Sequence, residues 1–134
     1  MIRLLIAGLM VLMAGNANAA SVGDTYKICK NYADNGFNYE KPSDAVCIAY
    51  FGAIRDRGAS VCDDMKSLLT DEDLDINEQH AFAFVQKIYG VGELGEINSA
   101  VQHFVNKMKN EPERWEYRAD QAVLESVQAM APCE

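Results

Sequence analysis

The sequence predicts an all-α protein, a compact bundle of about five helices held by two disulfides. Three observations lead to this fold class. Apolar residues recur every three or four positions through most of the chain, which is the period of an amphipathic helix. No run of alternating apolar and polar residues indicates a strand. The chain has 4 cysteines, and an even number in a short exported protein indicates disulfides.

Residues 1–19 have the layout of a secretory signal peptide. Arg3 supplies a positive charge, residues 4–13 are apolar, and the Ala-Asn-Ala of 17–19 is a small-x-small cleavage pattern. The apolar run is shorter than the roughly 20 residues of a permanent membrane helix. We therefore expect export to the periplasm, no stable membrane insertion after cleavage, and one domain over residues 20–134.

The mature chain is strongly acidic. Arg3 is one of 12 Lys and Arg residues, so 11 remain against 20 Asp and Glu, and the formal charge is −9. Nucleic acid and anionic lipid surfaces need clustered basic residues, so neither is expected as a partner. An acidic chain is better suited to a basic protein partner.

The first helix is predicted over residues 24–34, with Asp24 as its N-cap. The segment that follows is rich in turn residues, and Pro42 disfavours a helical conformation at the residue before it. A second helix is therefore expected to begin just after this proline.

The second helix is predicted over residues 43–57, capped by Ser43 and ended by Gly58 in a left-handed conformation. Residues 45–54 are apolar around most of the helix, which is typical of a central helix. Because a glycine in mid-helix is unfavourable, Gly52 is predicted to permit a close helix crossing.

Three more helices are predicted over residues 77–89, 96–109 and 112–130, the last beginning at Pro112. The apolar residues at helical spacing in the first two are Phe82, Val85, Ile88 and Tyr89, then Ile97, Val101, Phe104 and Met108. The residues predicted to face inward from the last helix are Trp115, Ala119, Ala122, Val123 and Met130.

Two short motifs imitate ligand sites. GVGELG, residues 90–95, matches G-x-G-x-x-G, but a helix rather than a strand precedes it, so we predict a flexible interhelical loop. DEDLD, residues 71–75, begins like a calcium loop. Ile76 and Phe82 stand where that loop needs Gly and Glu, so we predict a solvated acidic helix entry.

Neither histidine indicates a metal or catalytic site. His80 and His103 lie on separate predicted helices, and neither has a ligand-type partner four residues away. The chain also lacks the GxSxG and HExxH motifs. We therefore predict no catalytic residue, no metal and no cofactor, with a thiol mechanism open only if one cysteine is unpaired.

Helix geometry favours one of the three possible disulfide pairings. No two cysteines form a C-x-x-C pair. In an antiparallel hairpin, Cys29 lies near the end of the first helix and Cys47 near the start of the second, at almost the same height. Cys62 follows the second predicted helix and Cys133 the last one. The predicted disulfides are Cys29–Cys47 and Cys62–Cys133.

A spaced pattern of residues covers most of the mature chain. Its members are Cys29, Cys47, Tyr50, Gly52, Asp56, Cys62, Pro112, Trp115, Ala119, Val123, Ala129, Pro132 and Cys133. In this pattern the chain resembles the Rap/Tai-type immunity proteins, which protect bacteria against type VI secretion amidases. The resemblance implies a periplasmic all-α homodimer that neutralises a peptidoglycan amidase by filling its substrate groove with a helix and a protruding loop.

We expect the protruding loop to be residues 90–95 or residues 109–114. The acidic side chains predicted to steer association with a basic partner are Asp71, Glu72, Asp73, Glu93 and Glu96. Two other functions remain open on the sequence alone. One is a small helical periplasmic stress or scaffold protein without a dedicated toxin, and the other is an enzyme that uses an unpaired cysteine.

Overall fold

The computed structural model describes residues 20–38 and 40–134, so the predicted signal peptide lies outside the described residues. The five α-helices of these residues are α1 (Val22–Asn35), α2 (Pro42–Leu69), α3 (Ile76–Tyr89), α4 (Ile97–Asn110) and α5 (Ala119–Met130). A short 3-10 helix, Pro112–Arg114, lies between α4 and α5. The predicted all-α bundle is confirmed. None of the helices in these two ranges is both long and apolar enough to cross a membrane.

The first helix begins earlier than predicted because Ser21, not Asp24, is its N-cap. The hydroxyl oxygen of Ser21 accepts a hydrogen bond of 3.1 Å from the main-chain N–H of Asp24. This bond satisfies one of the N–H groups that the first turn leaves unpaired. The helix ends at Gly36, whose φ of 75° falls in the region that favours glycine.

The second helix is much longer than predicted. It has 28 residues, its N-cap is Lys41 rather than Ser43, and Pro42 occupies its first turn. The prediction that Gly58 ends this helix in a left-handed conformation was wrong, because Gly36 is the glycine with positive φ among the described residues. Gly58 instead lies inside α2, where its missing side chain makes room for Val91.

The core lies between α1, α4, α5 and the first half of α2. Phe51 of α2 meets Phe104 of α4 edge to face, with ring centroids 5.6 Å apart. From α2 the core takes only residues between positions 47 and 54. Four residues of the apolar run 45–54 are exposed, namely Ala45, Val46, Ala49 and Ala53. One face of this predicted central helix therefore points to solvent.

Two disulfides tie the bundle together, in the pairing that the sequence predicted. Cys29–Cys47 joins α1 to α2, with the Cα atoms 5.2 Å apart. Cys62–Cys133 joins the second half of α2 to the end of the chain, with the Cα atoms 5.8 Å apart.

The last predicted helix is divided, and only its second part is α-helical. The indole N–H of Trp115 donates to the carbonyl of Met108, and the carbonyl of Trp115 accepts from the N–H of Gly23. These bonds hold the segment across the start of α1, so it does not continue as a helix. Trp115, Ala119, Ala122 and Val123 pack inward as predicted, whereas Met130 is exposed.

The second half of α2 and all of α3 form a helical hairpin, residues 59–89, which we call the arm. α3 packs mainly on α2 and has no buried side chain. Its C-terminal end meets α2 at Gly58, so α3 runs antiparallel along the second half of that helix. The core cluster of the described residues contains no arm residue, and the arm therefore extends beyond the bundle.

Candidate functional site

The chemistry that a cysteine enzyme needs is missing from the described residues. All four cysteines are paired, so a thiol mechanism has no free nucleophile among them. His80 lies on α3 and His103 on α4, as predicted on separate helices. Residues 20–38 and 40–134 contain no group of three His, Cys, Asp or Glu side chains placed to hold a metal ion.

The first half of the glycine-rich segment 90–95, which the sequence predicts as a flexible loop, is packed against other segments. The N–H of Val91 donates to the carbonyl of Gly58 at 2.9 Å, and the N–H of Gly92 donates to the carbonyl of Ala131 at 2.8 Å. A Cβ atom at Gly90 would lie 3.0 Å from the Cβ of Cys133. The first half of the segment is thus fixed between α2 and the chain end, and it cannot enter a partner's groove.

The five acidic residues predicted to steer a partner fall into two separate groups. Asp71, Glu72 and Asp73 lie at the tip of the arm, in the connection between α2 and α3. Glu93 and Glu96 lie beyond the opposite end of α3. Because α3 has 14 residues, the two groups are about 20 Å apart along its axis. The structure therefore does not bring them together on one small patch.

The arm concentrates negative charge, part of it at the tip and part on α2 just after Cys62. Residues 63–78 contain one basic residue, Lys66, and the acidic residues are Asp63, Asp64, Asp71, Glu72, Asp73, Asp75 and Glu78. Asp75 and Glu78 form a capping box at the start of α3, so both carboxylates accept hydrogen bonds from main-chain N–H groups of the helix start. The carboxylates of Asp63, Asp64, Glu72 and Asp73 are exposed and have no hydrogen bond or ion pair within the described residues.

The arm also exposes large apolar side chains. These are Leu68 (40% exposed), Ile76 (62%), Phe84 (63%), Ile88 (41%) and Tyr89 (54%). Ile88 and Tyr89 belong to the apolar stripe predicted for this helix, and the sequence analysis predicts no binding role for Leu68, Ile76 or Phe84. The signal was present, because α3 carries a second apolar stripe, Phe84 and Ile88, beside Phe82 and Val85. A helix with two apolar stripes has more apolar surface than one neighbour can cover.

A groove of about 900 Å³ opens at the base of the arm, between α2, the end of α3, and α5. Apolar side chains on its walls include Ile54, Val61 and Leu124, and the exposed Ile88 and Tyr89 of the arm also line it. The apolar surface of the arm therefore continues into the groove.

Charged residues also line the groove, among them Arg118 and Asp120. Their ion pair, 2.6 Å long, lowers the pKa of Asp120 below its ordinary value. Tyr50, next to this pair, has a raised pKa because of burial and the nearby charge of Asp120. Arg57 and Lys87 contribute two more cations.

No known protein family, curated protein or solved structure matches this chain. The features of the described residues that bear on function are the arm, the groove and the disulfide-tied bundle that holds them.

Proposed function

We propose that the protein is a periplasmic immunity protein that binds a type VI secretion peptidoglycan amidase and inhibits it by occluding the substrate groove. The observation that supports this proposal best is the arm, a helical hairpin with unpaired carboxylates at its tip and exposed apolar side chains along its length. The spaced cysteine, glycine and tryptophan pattern that resembles the Rap/Tai-type immunity proteins supports it independently.

An inhibitor of this kind needs a fixed shape rather than reactive groups. A rigid binder loses less conformational entropy when it associates, and affinity improves for that reason. Two disulfides hold this bundle, one inside the core and one at the base of the arm. The acidic tip would raise the rate at which a basic enzyme surface is encountered, because complementary charge steers association.

The proposal includes a compartment and an oligomeric state. The two disulfides indicate an oxidising environment. We assign the periplasm because it is where a peptidoglycan amidase acts. The homodimer implied by the resemblance is part of the same proposal.

The proposal is tested by complex formation with the amidase encoded beside this protein's gene. We expect the two purified proteins to coelute in size-exclusion chromatography and the amidase to stop cleaving peptidoglycan peptides. Lysozyme, a basic cell-wall hydrolase of another class, is the control for attraction by charge alone and should remain unbound. If no complex forms and the amidase still kills cells that express this protein, the proposal is wrong, and a stress or scaffold function becomes the better explanation.

A further inference from the structure

We infer that the arm is the surface that contacts the partner, and that it fits a cationic protein surface with an apolar hollow. This inference rests on the proposed function, since the partner is taken to be the amidase. It differs from the sequence-based expectation, which gave the contact to a loop at residues 90–95 or 109–114. Four features of the arm support it.

The first feature is an apolar helix face without a neighbour. α3 has no buried side chain, although it carries Phe82, Phe84, Val85 and Ile88. Phe84 and Ile88 are four residues apart, so they lie side by side on one face of the helix. Exposed apolar surface that continues into a groove is typical of a protein interaction site.

The second feature is the negative charge of the arm, which specifies the kind of partner. Seven acidic residues against Lys66 give residues 63–78 a formal charge of −6. Four of the carboxylates have no partner in the described residues, so their charge is available to a second protein. A partner that covers the tip must carry several Lys or Arg side chains, because like charges at an interface are strongly unfavourable.

The third feature favours another protein over a second copy of this chain. Near the arm, a copy would offer Arg57, Lys66 and Lys87 as cations without an ion pair in the described residues. Three cations cannot balance the seven carboxylates of residues 63–78, and a whole copy is itself strongly acidic. A basic protein of another sequence meets the requirement better.

The fourth feature is the rigid attachment of the arm. Gln128 of α5 donates through its side-chain amide to the carbonyls of Ile88 and Gly90, at 3.1 and 2.9 Å, and so caps the end of α3. Cys62–Cys133 and the contact between Gly58 and Val91 fix the same end. The arm is therefore presented in one orientation, which favours tight binding.

The experiment uses the mature full-length protein and three sets of variants. The tip variant combines Glu72→Gln and Asp73→Asn at the tip with Asp63→Asn and Asp64→Asn on α2, which removes charge from the arm without changing shape. The apolar variants are Phe84→Ser and, separately, Ile76→Ser. If one of them fails to fold, the other still tests the apolar face. The matched control is Glu93→Gln with Glu96→Gln, which removes acidic charge outside the arm. Circular dichroism checks that each protein is folded.

Binding is measured by biolayer interferometry against a panel of purified type VI amidases whose catalytic cysteine is replaced by alanine. We expect the tip variant to associate about tenfold more slowly and to show a weaker dependence on salt concentration. Phe84→Ser should dissociate about tenfold faster, because truncating a buried aromatic residue at an interface mainly affects dissociation. The control pair should stay within about twofold of the wild type.

Three results would overturn the inference. If the wild type binds an amidase and the arm variants bind it equally well, the arm is not the contact, although the immunity function stands. If the wild type binds no amidase of the panel, the proposed function fails and the inference fails with it. If light scattering shows that the arm variants lose only self-association while amidase binding persists, a second copy covers the arm.

Discussion

The main-chain N–H of Val91 donates a hydrogen bond of 2.9 Å to the carbonyl of Gly58, in the middle of α2. Gly58 allows this approach because it has no side chain, and a Cβ atom there would lie 2.8 Å from the Cβ of Val91. Gly92, the next residue, donates to the carbonyl of Ala131 near the chain end. The two bonds hold the end of α3 between α2 and the C-terminal segment, and so they position the arm.

Gly58→Ala should destabilise the protein. The added methyl group must push Val91 away, and overpacking of this kind costs about 1–3 kcal/mol. The better helix propensity of alanine offsets about 1 kcal/mol of this cost. We expect a net loss in the free energy of unfolding, measured by urea denaturation followed by circular dichroism.

Gly52→Ala is the matched control in the same helix. A Cβ atom at Gly52 would lie 3.6 Å from the Cδ1 of Ile97, which is ordinary van der Waals contact. The predicted close crossing at this glycine is thus absent, and the variant should be neutral or more stable by up to about 1 kcal/mol. Equal effects at both positions would contradict the role given to Gly58.

Removing the disulfide at the base of the arm should weaken the whole fold. Cys62 and Cys133 are 71 residues apart, and cross-linking a loop of that length stabilises by roughly 4 kcal/mol in the chain-entropy model. The double variant Cys62→Ala, Cys133→Ala should therefore lose about that much free energy of unfolding and exchange the amide proton of Gly92 faster. Peptide mapping without reduction gives the direct check, and a peptide linking Cys47 to Cys62 would contradict the pairing.

Asp44 is a fully buried carboxylate that anchors the connection between α1 and α2. It accepts hydrogen bonds from the side-chain amide of Asn31 at 3.2 Å and from the main-chain N–H of Asn38 at 3.0 Å. Asp44→Ala leaves both donors unpaired, so we expect a loss of about 1–3 kcal/mol in thermal or urea unfolding. The exposed Asp34→Ala should change stability by less than about 0.5 kcal/mol, and a comparable loss there would rule out this explanation.

Protonation of Glu125 in acid should lower the free energy of unfolding. Burial tends to raise the pKa of Glu125, but hydrogen bonds from Arg114 and Lys107 outweigh burial and hold the pKa below its ordinary value. The ion pairs are 2.9 and 3.2 Å long, and a third of the Glu125 side chain is exposed. Because the pKa is lowered by folding, the stabilisation exists above the unfolded-state pKa of about 4.3 and is lost as pH falls through the folded-state value.

The comparison is between wild type and Glu125→Gln over pH 7 to pH 3. The wild type should lose more free energy of unfolding than the variant across this range, by up to about 1 kcal/mol, since a partly exposed ion pair is screened by solvent. Glu116→Gln, at an exposed site that has no ion pair within residues 20–38 and 40–134, should follow the wild type. Parallel curves for Glu125→Gln and wild type would contradict the assignment.

The disulfide pairing could be predicted from the sequence because it depends on local geometry. A helical rise of 1.5 Å per residue places Cys29 and Cys47 at one level of a hairpin. Cys62 and Cys133 then have only each other as partners. The starts of the first four helices were predicted to within two residues, although Ser21 rather than Asp24 caps α1 and Lys41 rather than Ser43 caps α2. The end of α2 could not be predicted, because a glycine such as Gly58 can either stop a helix or allow another segment to approach the helix closely.

The candidate site was only partly predictable. The acidic residues 71–73 can be read from the sequence, and the two apolar stripes of α3 indicate that one of them is uncovered. Which stripe faces solvent cannot be read, since an apolar residue at helical spacing has the same pattern whether it faces a core or solvent.

By itself, the sequence determined the helical class, the four paired cysteines and the acidic connection, since each depends on residue type and local spacing. Only the tertiary structure decided that α2 continues through Gly58, that segment 90–92 is packed, and that α3 projects with an apolar face uncovered. These features depend on which distant segment reaches α2, and at Gly58 that segment is Val91, 33 residues further along the chain.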